Sequence, residues 1–500
     1  DKFTFRTDGS IGIGGANYGS DGQVLTSGGS GAAVAWEDVP AGITNKTFGT
    51  SSIMIGDSAT GTINAANHNT GVGVDIFAAL TSGDGNTVMG FSAGTTLNTG
   101  QRNVAIGFQS LDAGNTASDN VMVGYEAGGA TVDGQENTVI GYYAGHGDMA
   151  NYNTFVGSSA GQNSTGQGNT FLGSRSGDAN TSASNNVAVG YESLGANTEG
   201  TSNTAVGKSA LSVNITKNYN TAVGTGALQY FGDANANSDG WNTAVGAEAL
   251  GGSNSDDISY SNAFGGRALK AATSSDYNNM FGYGAGTSIT TGSNNTAMGH
   301  NALSACVAGE GNVAIGKDSM KAFSPSGGNA GHDNVAIGRD AMKIATVGAD
   351  NIAIGSYSLD AHNSASTSQV IAIGIRAASG ALAGHNNQFI GYESGMYATS
   401  AFYNTAIGNT TLKGSSSTAF TGDHNVSIGH NATPNITSGY RNVCIGQTAG
   451  SGGTSFGYGV YLGMETAVGA ANETNSIVIG NSVTGKGSNT GFISPGSGAM

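Results

Sequence analysis

The chain has 500 residues, 86 of them Gly and only 4 Pro, with 38% hydrophobic residues, 10% charged residues and a formal net charge of −16. No strict three-residue glycine period is present, which excludes collagen, and the low charge content excludes a charge-rich disordered chain. The acidic balance lacks clustered Lys and Arg, which disfavours binding of nucleic acid or of an anionic membrane through a basic surface, and no apolar run is long enough for a spanning helix.

Taken in chain order, residues 1–49 carry no repeat and form an N-terminal segment, in which Trp36 is expected to anchor the segment to the first coils or to a neighbouring chain. The chain opens on Asp1, which suggests a processed or partial chain. Residues 50–482 repeat a phrase ending in glycine, usually at intervals of 17 residues: Asn86 to Gly90, Asn103 to Gly107, Asn120 to Gly124, and still Asn442 to Gly446. Residues 483–500 form an end segment. A repeat this short is one coil of a solenoid, which grows by adding coils and needs no new core. The fold expected is all-β, a parallel β-solenoid of about 25 coils.

Within a coil, the residue before the glycine is large and apolar, as at Met89, Ile106, Ile140 and Leu172, and Thr, Val or Ile stands two residues earlier. By strand alternation these share one face, expected to fill the coil. The residue between them is mostly Ala and points the other way. Apolar residues on both faces describe a parallel strand buried on both sides, the second side against another copy of the chain. On that reading Ala105, Ala188, Ala222, Ala314 and Cys444 are the candidates for an interface between copies. A second strand is expected after the glycine, with a small residue three positions on and then Leu or Gly. Asn opens the phrase in about 20 of the 25 coils, as expected for a stacked side-chain ladder. Gly-rich corners such as Thr99 to Asn103 are expected to supply positive φ.

Chemistry is sparse. The 8 His residues show no metal-ligand spacing, and the acidic pair Asp256 and Asp257 reads as surface charge. Cys306 and Cys444 lie about eight coils apart, near 40 Å at roughly 4.8 Å per coil, beyond the reach of a disulfide within one chain. They read as small apolar fillers, with an inter-chain bond at Cys444 as the alternative. No catalytic, metal or cofactor-binding set is assigned, and no cofactor is expected. Longer intervals mark insertions: 22 residues from Gly224 to Gly246 and from Gly316 to Gly338, and 21 from Gly408 to Gly429. The first carries Tyr230, Phe231 and Trp241, read either as caps on the local core or as a surface contact loop.

The repeated Asn-Val-Ala-Ile-Gly phrase, with its small residue three positions later and short Gly-rich corners, resembles the repeats of YadA-like trimeric adhesin heads over roughly residues 50–482. The resemblance implies a left-handed β-roll and a homotrimer packed around a threefold axis. The stretch from Gly22 to Trp36 is similar to a segment common in bacteriophage tail-fibre and appendage proteins. Together these imply a non-enzymatic fibre shaft on a virion appendage, extracellular, presenting or forming a host-attachment surface. Its partners would be itself, other appendage proteins and a host-cell surface glycan or protein, with no nucleic acid and no membrane insertion. The alternative is the head of a trimeric adhesin on a bacterial cell surface, although neither heptads nor barrel strands occur in these residues. Two weaker readings are an ice-binding solenoid, for which the partial threonine column is expected to lie in the interior, and a polysaccharide-cleaving tailspike, which finds no catalytic constellation.

Overall fold

A computed structural model of the chain describes residues 47–56, 65–231, 240–252, 258–324, 331–346, 348–361, 369–380 and 382–494. It also describes the strand backbone of Phe3–Phe5, Ile11–Ile13, Gln23–Ser27, Val34–Asp38 and Thr44–Phe48. The side chain of Trp36 lies outside the described residues, as do Asp256, Asp257 and His362. The chain divides into two units, Asp1–Asn185 and Asn186–Met500. Both are built from the same coil, and the fold is a parallel β-solenoid of about 24 turns with no helix among the described residues.

Each regular coil contributes one strand of three residues, such as Val104–Ile106 or Thr221–Val223. Pairing is parallel and in register, so Ala105 lies between Val88 and Met122, and Ala222 between Ala205 and Ala244. The first coil is preceded by an antiparallel hairpin in which Thr44–Phe48 pairs with Ser52–Gly56. In-register stacking turns every position of the repeat into a column.

The strand faces are the reverse of the sequence expectation. The central residue of each strand is the one inside the coil: Ala105, Ala188, Ala222, Ala314 and Cys444 are completely buried within a single chain. They therefore cannot face a neighbouring copy. Opposite them sits the residue four positions past the glycine, and the two positions trade volume. Where the centre is Ala105, Ala188, Ala205 or Ala222, the opposite residue is Leu111, Leu194, Leu211 or Leu228, all buried. Where the centre is Met122, Phe155, Phe171 or Phe389, the opposite residue is Gly128, Gly161, Gly177 or Gly395. A Cβ at Gly161 would come within 2.6 Å of the Phe155 ring, and one at Gly128 within 2.6 Å of Met122 Sδ. Between these two positions one large side chain fills the space, at close-packed density.

The limb after the glycine is a run of turns, not the second strand expected; among the described residues it contains no strand in the regular coils. Two of its residues hold left-handed backbone, as at Gln109 and Leu111 with φ of +49° and +52°. Non-glycine residues pay roughly 1–2 kcal/mol each for that conformation, which the burial of the following core side chain offsets. The corners supply positive φ as expected, through glycine at Gly85, Gly168 and Gly311 (φ +69°, +66° and +67°) but through other residues elsewhere. At the Thr99 to Asn103 corner the positive φ belongs to Arg102, at +55°. Gly100 is needed because a Cβ there would meet the Ala117 carbonyl of the next coil. The repeat glycine combines both reasons: Gly224 has φ +134°, and a Cβ on it would sit 2.6 Å from the Gly246 carbonyl.

The asparagines form the expected ladder within each unit. Asn103 Oδ1 accepts from Asn120 N at 3.1 Å and from Asn120 Nδ2 at 3.0 Å, and Asn120 Nδ2 also donates to Gly134 O at 2.8 Å. The same pattern links Asn295, Asn312 and Asn334. Each buried amide thus ties its own corner to its strand and one coil to the next, leaving none of its polar atoms bare.

The volume trade predicts a compensating pair. Leu211→Gly alone should destabilise the chain by about 2–5 kcal/mol through the cavity left, and Ala205→Met alone should overpack the coil. Combined, the two should recover most of the loss, with a coupling on the order of 1–3 kcal/mol in urea unfolding. Strict additivity would mean the two side chains do not share one space.

Candidate interaction surface

With the central residue of each strand turned inward, its two neighbours point out. The position before the glycine then makes a continuous outward column of large apolar side chains. In the first unit it runs from Val72 through Met89, Ile106, Val123, Ile140 and Val156 to Leu172, each paired in register with the next. In the second unit it runs from Val189 through Phe264, Met298, Ile354 and Ile407 to Ile479. Met89, Leu172 and Met298 are each nearly half exposed, at 47%, 48% and 49%. Phe264 and Phe281 stack in this column with ring centroids 4.9 Å apart. A contiguous apolar stripe of this kind is uncommon on the surface of a monomeric protein.

Two aromatic columns flank the stripe. One residue past the glycine, Phe91, Phe108, Tyr125 and Tyr142 stack successively at 5.4, 5.0 and 5.3 Å. Five residues before it, Trp241 stacks on Tyr219 at 4.2 Å and Tyr277 on Tyr260 at 5.2 Å. Trp241 is therefore a regular corner residue, with φ +49°, and not part of an inserted loop. Of the candidate contact residues, Tyr230 and Trp241 are exposed, whereas Phe231 is buried in the core and cannot touch a ligand. Residues 232–239 between them lie outside the described residues. The aromatic corner column could have been found in the sequence, since Tyr152, Tyr219, Trp241, Tyr260, Tyr277, Tyr403 and Tyr458 all stand five residues before a repeat glycine.

Charge on the turn limb is paired. Lys343 Nζ lies 2.8 Å from Asp340 Oδ1, Lys413 Nζ 2.7 Å from Glu393 Oε2 and Lys321 Nζ 3.2 Å from Asp318 Oδ1. Lys413 beside Glu393 holds that carboxyl below its ordinary value. Asp360 behaves oppositely: burial, with the nearby Asp340 charge adding to it, pushes it up to about 6. Burial also raises both thiols, Cys306 to about 11 and Cys444 further still.

No family model matches the chain, and no curated protein matches it.

Two outcomes follow from these environments. Buried, protonated thiols are poor nucleophiles, so Cys306 and Cys444 should resist an aromatic disulfide reagent at pH 8 until the chain is unfolded, and a non-reducing gel should show no linked dimer. A Cys444-linked species would place that residue outside the coil after all. For Asp360, a carboxyl raised from 3.8 to about 6 in the folded chain favours folding only while protonated, so its contribution is complete below pH 4 and is lost as pH rises through about 6. Asp360→Asn should leave the melting temperature unchanged at pH 4 and raise it at pH 7.5.

Proposed function

We propose that the chain is the shaft segment of a bacteriophage tail or head fibre: a non-enzymatic, extracellular homotrimer, wound left-handed, that presents or forms a host-attachment surface. The observation that carries this reading is the outward apolar column. The core and the amide ladder are satisfied within the single chain without the column, which is left half exposed to solvent. Covering a half-exposed Val, Ile or Met is worth roughly 1 kcal/mol at about 25 cal/mol per Å², and the column repeats this in coil after coil. A second and third copy of the same column cover it in register, because all three share one repeat. The interface thus moves from the alanines to residues such as Ile106, Val223, Ile354 and Ile445.

The partners proposed are the chain itself, neighbouring appendage proteins and a glycan or protein on the host surface. The head of a bacterial trimeric adhesin would use the same column, and the flanking chain separates the two: a virion-docking domain or folding chaperone fits a fibre, a stalk and membrane barrel an adhesin. The threonines at 87, 138, 154 and 170 point outward and not into the interior. Their column is broken by Val104, Val121, Asn262 and Gln388, so it offers no regular hydroxyl lattice for ice.

Light scattering on the purified chain should give three times the chain mass of 49.3 kDa. Ile354→Lys with Ile373→Lys should reduce it to a single chain that keeps its β-sheet circular dichroism, since both positions lie on the surface of the monomer. Ala222→Glu should instead unfold its coil. A wild-type chain that is monomeric at micromolar concentration overturns the proposal.

A further inference from the structure

The interval from Gly408 to Gly429 is the one insertion of more than 20 residues whose residues are all described, and it does more than lengthen a corner. Phe420 is fully buried and pins the insertion to the coil, its N–H donating to Tyr397 O and its carbonyl accepting from Thr399 N, both at 3.0 Å. Ahead of it the chain rises into a tight turn. Ser415 Oγ lies 2.6 Å from Thr418 Oγ1 and accepts from Thr418 N at 3.1 Å. Against this turn lie two adjoining depressions of about 300 and 350 Å³ that share Gly414, Ser415 and Asn435.

The polar groups of the walls are of one chemical kind, and Tyr397 and Pro434 add apolar surface to the second depression. The first depression presents the hydroxyls of Thr418, Thr437 and Thr454 with the Asn435 amide, and the second adds Ser416 and Asn431. Asn435 and Ser416 have no hydrogen-bond partner among the described residues, and both are exposed. The one charged lining residue, Lys413, is neutralised by Glu393. A surface of hydroxyls and amides without net charge pairs best with a ligand that both donates and accepts at many points and carries no charge. That describes a polyol. It does not describe a phosphate, which needs free cations.

We propose that the inserted corner between Gly408 and Gly429 is a binding groove for a neutral oligosaccharide. The lining residues stand two to ten residues past a repeat glycine, on the turn limb, whereas the apolar column belongs to the strand limb. Assembly through the strands therefore leaves the groove open, and its two depressions let successive sugar rings meet successive coils. The inference deepens the attachment reading, and rests on it only for the surface that supplies the saccharide.

The test is saturation-transfer NMR of the intact chain with neutral maltooligosaccharides, chitooligosaccharides and mannooligosaccharides, with heparin-derived oligosaccharides as the sulfated comparison. At least one neutral series should bind, and Ser416→Ala with Asn435→Leu should weaken that binding at least tenfold. Both side chains are on the surface, so the variant should keep the wild-type melting temperature and mass. Failure of all neutral series, binding by the sulfated series alone, or affinity unchanged in the double variant would overturn the groove. The fibre reading stands or falls separately, on the light-scattering mass.

Discussion

Everything in this chain follows from how closely successive coils approach. A three-residue strand pairs in register with its counterpart one coil on, and at the repeat glycine the approach is so tight that a Cβ on Gly224 would touch the Gly246 carbonyl. A coil this thin has one buried strand residue, one opposing residue on the turn limb and a buried Asn at the corner. The Asn ladder is the part that cannot be exchanged. Its amide accepts twice and donates twice, so removing the Asn120 side chain leaves partners bare at Asn103, at Asn137 and at the Gly134 carbonyl of the following corner. Ser261 shows what a replacement has to do: its N–H still donates to Asn242 Oδ1, and its hydroxyl accepts from Asn278 N at 3.2 Å.

The same constraint shapes the outside. Since one strand residue in three is consumed by the core, the other two are presented outward with no freedom to vary in position, only in kind. Columns result: apolar before the glycine, mixed Thr and Val two residues earlier, aromatic at two flanking positions. A column is a poor way to recognise a compact ligand, because its elements are identical and evenly spaced. It suits another copy of the same chain, whose columns have the same spacing. Variety is available only where the repeat is interrupted, and the interruptions fall on the corners and the turn limb.

Much of this was legible in the sequence. The period placed the strands, the glycines and the Asn ladder, because those positions are held by requirements local to the coil: positive φ at Gly107, a close approach at Gly100, amide pairing at Asn103. The faces were not legible from alternation, which separates Ala105 from Val104 and Ile106 but does not say which side is inside. Large residues are usually interior, and here that rule pointed the wrong way. The deciding signal was covariation between repeats: Ala105 goes with Leu111, Phe155 with Gly161, Phe389 with Gly395. Two positions that trade volume share a space, so the alanine faces inward. The left-handed turn limb, read as a strand, was hidden because its φ values fall on ordinary residues such as Gln109 and Leu111. Phe231 could be read two ways, as a cap on the local core or as part of a contact loop, and its burial agrees with the cap: as at Phe420, the aromatic side chain fastens the insertion to the core.

That fastening bears on how such a shaft could acquire recognition at all. An insertion in a regular coil costs little in chain entropy, since closure cost grows only slowly with loop length. A loose insertion, however, would lose affinity to the ordering of its own backbone on binding. Burying Phe420 and closing the Ser415 to Thr418 turn remove that loss before any ligand arrives. The coil above and below then supplies the rest of the wall, as Asn435, Thr437 and Thr454 do, without changing their own place in the repeat. On the proposed reading, assembly and recognition are carried by different limbs of the coil, so the turn limb can vary from one insertion to the next while the strand limb remains able to pair with its copies.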